Sequence, residues 1–173
     1  MSKEAFIVLG NQLFPLNHIQ DFKSCHFFMA EDYDLCTYFK FHKHKLIFYL
    51  SAMREYKDAL IKNKYKCTYC KLDEQKINHK YEDKLELFIN KNKIKKLKIF
   101  EIPDSFFRNR ITNFCKKKNI DLEIIQSPMF MSDRVLLKEY FEKNKKPFLN
   151  NFYKREQKFF YNYNAMVHIK ILF

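Results

Sequence analysis

Five short apolar runs alternate with longer segments of helical periodicity, and that alternation constrains the fold more than any other feature of the chain. Ala5-Phe-Ile-Val-Leu-Gly10, Cys25-His-Phe-Phe-Met-Ala30, Lys66-Cys-Thr-Tyr-Cys-Lys-Leu72, Lys96-Leu-Lys-Ile-Phe-Glu101 and Ile120-Asp-Leu-Glu-Ile-Ile125 read as buried strands. Helices are predicted from about Phe39 to Asn63, from Tyr81 to Asn90, from Asp104 to Lys118 behind Pro103, and from Asp133 to Asn144. Strands that take turns with helices give an α/β fold: an open, mostly parallel five-stranded Rossmann-like sheet with helices on both faces. At 173 residues the chain fits one such domain. Its boundary is placed at 147, with residues 148–173 read as a helix followed by an aromatic tail.

The long helix has an electrostatic peculiarity. It opens on Lys40, His42, Lys43, His44 and Lys45, at the end where the backbone already carries roughly half a positive charge. Behind that turn lie one stripe of Leu46, Ile47, Leu50, Met53, Leu60 and Ile61 and a second of Phe48, Ala52, Tyr56 and Ala59, a pattern that predicts cover on both sides. An anionic group, from a side chain or a ligand, is expected beside the first turn.

Several chemistries are excluded. The chain holds a single glycine, so neither a dinucleotide fingerprint nor a P-loop, each of which needs several, can be built. There is no Gly-x-Ser-x-Gly elbow, and no Ser, His and Asp spacing singles out a triad, so no catalytic residue is assigned. No metal site is assigned either. His42 and His44 would diverge by about 200° on a helix, and Cys67 and Cys70, although spaced like a zinc pair, fall in a strand whose i and i+3 positions face opposite sides. The odd, scattered cysteines are those of a reduced, cytoplasmic protein. No apolar run approaches the ~20 residues of a membrane span. A net charge of +13 suits a polyanionic partner, but only five of the 33 basic residues are arginine, and the Lys, Asn, Ile and Phe bias is equally that of an AT-rich coding sequence.

In open parallel sheets, ligands lie beyond the carboxyl ends of the strands. That rule selects Gly10, Asn11 and Gln12 after the first strand, Glu31 after the second and Glu101 after the fourth. Glu31 has two readings: a carboxylate for ligand hydroxyls, or an ion-pair partner of Lys43 or Lys45. Arg54, amid the small or flexible Ser51-Ala-Met53, is either closely packed or a surface residue that ends an apolar face.

Leu9-Gly-Asn-Gln-Leu13, Met29-Ala-Glu31, Thr37-Tyr-x-x-x-His42-Lys-x-Lys45 and Leu50-Ser-Ala-Met-Arg54 resemble the amino-terminal domain of deoxyribodipyrimidine photolyase-related proteins, the prokaryotic iron-sulfur cryptochromes and (6-4) photolyases. Tyr69-Cys-Lys-Leu-Asp73, Glu101-Ile-Pro103, Phe130-Met-Ser132 and Phe152-Tyr-Lys-Arg-Glu156 continue the resemblance. It implies an antenna domain for a ribityl lumazine, joined in the family to a helical domain with FAD, an iron-sulfur cluster and the pocket for damaged DNA. The resemblance puts Gly10, Asn11, Gln12 and Glu31 around the antenna, with His42, Lys43 and Lys45 of the long helix alongside. Asn11 and Leu35 stand where the family has carboxylates. After Glu156 the likeness ends, which predicts a chain cut short of its flavin domain, whether by truncation, frameshift or a split gene. Phe152, Phe159 and Phe160 would then be exposed. The competing expectations are a standalone module that binds a lumazine- or flavin-like chromophore or, through the exposed tail, a partner protein, and a remnant without function; a split gene would leave the flavin domain on a separate chain.

Overall fold

The computed structural model describes residues 3–72, 80–130, 134–144 and 148–158. It has two compact units, Met1–Met129 and Phe130–Phe173. The first is built on strands β1 (Glu4–Ile7), β2 (His26–Ala30), β3 (Cys67–Cys70), β4 (Lys96–Phe100) and β5 (Asp121–Ile125). They form one sheet in the order β3-β2-β1-β4-β5, and every pairing is parallel. The predicted fold class is therefore observed.

Period-two alternation divides the core into two layers. Ala5, Ile7, Phe28, Ala30, Leu97 and Ile99 point to one face, where α3 (Tyr81–Asn92) and α4 (Ser105–Lys118) cover them with Leu85, Phe88, Ile111 and Phe114. Phe6, Val8, Phe27, Met29 and Phe100 point to the other, against α2 (Lys43–Lys62) and the residues that join β1 to β2. That connection forms two short 3-10 turns, Leu16–His18 and Gln20–Phe22, rather than a helix. It seals the core with Ile19, Phe22 and Cys25. Cys67 and Cys70 join opposite layers, as strand periodicity requires, and all five cysteines are free.

With one glycine available, α2, α3 and α4 end on other residues. Lys64, Lys93 and Asn119 take positive φ, 64°, 53° and 53°. The next amide in each case reaches back into the last turn, Tyr65 to the Leu60 carbonyl, Ile94 to Ile89 and Ile120 to Cys115. These are left-handed helix ends in which an apolar residue locks the exit, made without the residue that does so at no steric cost.

The long helix departs from expectation in two ways. It starts at Lys43 rather than near Phe39, because a separate short helix, α1 (Tyr33–Thr37), ends just before and residues 38–42 are not helical. It is also covered on one side only: Tyr49, Leu50, Met53, Tyr56 and Leu60 face the core, while Ile47, Phe48 and Ile61 are exposed, Phe48 by 77%. The helix has a single buried stripe, which mixes the two predicted sets: Tyr56 of the second packs on the core, whereas Ile47 and Ile61 of the first and Phe48 of the second lie in solvent.

In the second unit, α5 (Arg134–Lys143) is followed by helical residues 149–158. Buried Tyr140 donates to the Phe148 carbonyl at 2.9 Å, and its ring meets Phe152 at 5.1 Å. Phe152, expected to be exposed, is thus half-buried. Phe159, Phe160 and the tail lie outside the described residues. Among the described residues no helix is long and apolar enough to cross a membrane.

Candidate functional site

The strand order reverses between β1 and β4, the point at which ligands of doubly wound sheets bind. Past Ile7 the chain turns at Gly10, with the Gln12 amide donating to the Leu9 carbonyl at 2.9 Å. Gln12 is buried, and its Nε2 donates to the Glu101 carbonyl at 2.8 Å, tying the end of β1 to the end of β4. Gly10 is required here by close approach. A Cβ on it would lie 2.2 Å from the Tyr49 Oη and 2.7 Å from the Met53 Sδ, so α2 packs onto this turn only because residue 10 has no side chain.

A cavity of about 520 Å³ opens beside the turn. Leu9, Gly10, Asn11, Ala30 and Ile102 form its base at the strand ends. Aromatic residues dominate the walls: Tyr38, Phe39 and Phe41 before α2, Tyr49 within it, Tyr81 from α3, and Phe106 and Phe107 from α4. The charged groups are Asp32, Asp34, Asp104, Lys45 and Arg110. Two of these carboxylates cap helices. Asp32 accepts from the Asp34 amide at 3.0 Å, and Asp104 accepts from Phe106 and Phe107, each at 3.0 Å. Arg110 holds Glu82 through two hydrogen bonds of 2.7 and 2.6 Å, with its guanidinium over the Phe106 and Phe107 rings.

Burial decides the protonation of the wall. It raises the Asp32 carboxyl above the usual range against the opposing Asp34 amide, pushes the Tyr49 phenol up to about 12, and keeps the Cys36 thiol protonated. It also raises Tyr81, whose buried hydroxyl has no hydrogen-bond partner. Such a cavity, apolar and aromatic with a few convergent polar groups, has the make-up of a small-molecule site.

Of the residues selected from sequence, Gly10, Asn11 and Lys45 line the cavity, whereas Gln12, Glu31, Arg54, Glu101, His42 and Lys43 are not in its wall. Glu31 has no exposed side-chain surface. It pairs with neither Lys43 nor Lys45. Its Oε1 accepts from the Arg54 Nε and the Tyr69 hydroxyl, both at 2.7 Å; its Oε2 accepts from the Arg54 Nη2 at 3.1 Å and the Leu72 amide at 2.9 Å. Burial raises its pKa, but these donors outweigh burial and the net shift is downward. Strand parity explains the placement. Glu31 follows Phe27 and Met29 onto the α2 face, while Asp32 follows Phe28 and Ala30 onto the other. The carboxylate in the cavity is thus the neighbour of the one expected. Buried Lys84 fastens the same corner, its Nζ donating to the Glu31 carbonyl at 2.6 Å.

His42 is the N-cap of α2, its Nδ1 accepting from the His44 amide at 3.3 Å. Because His42 lies outside the helix, the expected divergence does not hold, and the two rings meet at 4.8 Å. Among the described residues no group of three or more His, Cys, Asp or Glu is arranged to hold a metal ion. Asp32, Asp34, Tyr81 and Arg110 were not selectable from sequence. The only signal was that Asp32 and Asp34 follow a predicted strand.

Sheet order and cavity define an α/β domain with a cavity at the switch point of a parallel sheet. A family model described as deoxyribodipyrimidine photo-lyase-related protein matches residues 6–160, and the chain belongs to that family. A comparison with curated proteins finds no match.

Proposed function

We propose that this chain is the antenna-type domain of a photolyase-related protein of the iron-sulfur cryptochrome type, serving light-dependent repair of pyrimidine photoproducts in DNA. The observation that carries the reading is the aromatic-walled cavity of about 520 Å³ at the switch point of a chain in this family. A ribityl lumazine fits the donor set. Its ring would lie among Tyr38, Tyr49 and Phe107, and its hydroxyls would donate to Asp32 and Asp34. When bound, the chromophore would supply light absorption and pass excitation to FAD. FAD and the iron-sulfur cluster belong to a flavin-binding domain, in the same polypeptide or on a separate chain, and contact with damaged DNA is made there. The residues here bind and orient the antenna and keep water from its ring, and none is assigned a catalytic step.

The test is titration with ribityl lumazine, followed by absorbance and thermal stability. Saturable binding with a higher Tm is expected, whereas a protein that neither takes up the chromophore nor gains stability would refute the antenna reading. Photorepair is expected only when the flavin-binding domain is supplied.

The exposed apolar residues of α2, Ile47 and Phe48, favour a second reading, a surface for that flavin-binding partner. Substituting both with Ser should weaken reconstitution with the flavin domain and leave chromophore uptake intact. Unchanged reconstitution would remove this reading.

A further inference from the structure

The end of the sheet opposite the cavity carries a concentration of lysine. Every pairing is parallel, so all the strands begin at that end, and α2, α3 and α4, which lead into β3, β4 and β5, finish there. Lys62, Lys64 and Lys66 flank the exit of α2, Lys91, Lys93 and Lys95 flank that of α3, and residues 116–118, all lysine, close α4; every one of them is exposed. Acidic groups around them are already paired, Glu4 with Lys98, Asp121 and Glu123 with Lys96, and Glu86 with Lys118. Of the lysines at the three exits, Lys118 alone has a carboxylate partner among the described residues.

Composition does not account for this placement. Lys64 and Lys93 hold φ of 64° and 53°, a region that asparagine enters several-fold more readily than most side chains. Asn119 fills the same position after α4, and Asn63 and Asn92 stand one residue before the two lysines. A codon bias supplies asparagine as freely as lysine, yet lysine occupies the strained position. The helix dipole favours cations in a last turn, which explains Lys62, Lys91 and residues 116–118, but it has faded at Lys66 and Lys95 beside the strand entries.

The other residue types at this end select the partner. Arginine, which reads base edges through two hydrogen bonds, is absent from the three exits; Arg54 and Arg110 hold Glu31 and Glu82 instead. Lysine meets a phosphate as a point charge. Single-stranded nucleic acid is held by stacking on aromatic side chains, and the exposed aromatic residues of the first unit precede a helix or lie in its opening turns, away from these exits. A lipid surface takes apolar anchors, and Ile61 is the only large exposed apolar residue at the exits among the described residues. From β3 to β5 the lysine-bearing end spans about 19 Å, the length of roughly five to six base pairs.

We infer that this end of the first unit docks on the phosphate backbone of duplex DNA, without regard to sequence or damage. The choice of DNA among polyanions rests on reading the chain as part of a DNA-repair protein, and the inference goes beyond that reading by giving this domain a DNA contact of its own, remote from the cavity.

The test is fluorescence anisotropy of an undamaged labelled duplex titrated with the intact chain at increasing salt. A duplex lying across the end meets at least one lysine at each helix exit, so affinity should fall by about fortyfold or more between 50 and 200 mM salt. Lys64→Asn/Lys93→Asn keeps residues suited to the helix exits, and it should weaken binding about tenfold or more at 50 mM salt and flatten the salt dependence. Lys40→Gln/Lys43→Gln removes the same charge beside the opposite end and should leave DNA binding unchanged. Equal loss in the two variants, no loss in the first while circular dichroism shows it folded, or tighter binding to duplex RNA or to phosphatidylserine vesicles than to DNA overturns the inference. Ribityl lumazine uptake, measured on the same proteins, should not respond to either variant. Absent DNA binding with chromophore uptake intact removes this surface alone, whereas DNA binding without uptake removes the antenna reading and leaves the surface.

Discussion

Glu31→Gln removes a buried carboxylate that ties the end of β2 to α2 and to the end of β3. The native side chain has no exposed surface and accepts four hydrogen bonds from Arg54, Tyr69 and Leu72. Glutamine keeps one acceptor oxygen and turns the other into an amide donor that faces an Arg54 N–H in either orientation, with the Tyr69 hydroxyl beside it in one and the Leu72 amide in the other. Breaking a buried ion pair typically costs 3–5 kcal/mol. Arg54 is 45% exposed and returns to water readily, so about 3 kcal/mol is expected, at the low end of that range. For a chain of this size that corresponds to a Tm lower by roughly 6–12 °C. The assay is urea denaturation followed by circular dichroism, with the m-value checked for constancy. Arg54→Met and the double variant complete a cycle, in which the double should cost about 2 kcal/mol less than the two singles together, because each single strands the other group. A loss below about 1 kcal/mol for Glu31→Gln, or strict additivity, would refute the assignment of Glu31 as a structural anchor. Acid should act in the same direction. Since the donors hold the Glu31 carboxyl below its ordinary 4.5, the contribution is complete above that value and is lost as pH falls through the lower folded pKa.

Three further outcomes test other parts of the structure. His26 is buried beside Phe88 and bonded to the Thr68 hydroxyl at 2.8 Å, and burial, with Lys66 adding to it, lowers its pKa from 6.5 to about 4. The unfolded chain binds this proton first, so the stability is full above pH 6.5 and about 3 kcal/mol is lost as pH falls toward about 4. His26→Gln should flatten that window in pH-dependent urea denaturation, and an unchanged profile would rule out His26 as its source. Gly10→Ala should cost about 1–3 kcal/mol in urea denaturation and weaken chromophore uptake together, because the new methyl must displace Tyr49 and Met53, both of which line the cavity. Lys93→Gly should raise stability by about 0.5–1 kcal/mol by relieving the left-handed φ of 53°, and a loss of stability in thermal denaturation would contradict the strain.

The spacing of apolar residues was enough to determine the α/β class, the five strands and three of the helices to within a few residues, because each depends on local periodicity and on turn residues beside it. The start of α4 behind Pro103 was legible for the same reason. The sequence also contained the cationic turn at Lys43 and Lys45, and the residues that carry the family resemblance. What local pattern did not contain was the direction in which side chains at the strand ends point. Glu31 and Asp32 are adjacent, and only the register of β2 in the sheet sends the first to Arg54 and Tyr69 and the second to the cavity. The 3-10 connection after β1, the single buried stripe of α2, and the meeting of Tyr81 and Arg110 with residues far away in the chain were decided by tertiary packing. Burial, charge pairing and cavity shape are properties of surfaces brought together, and no single segment of this chain carries them.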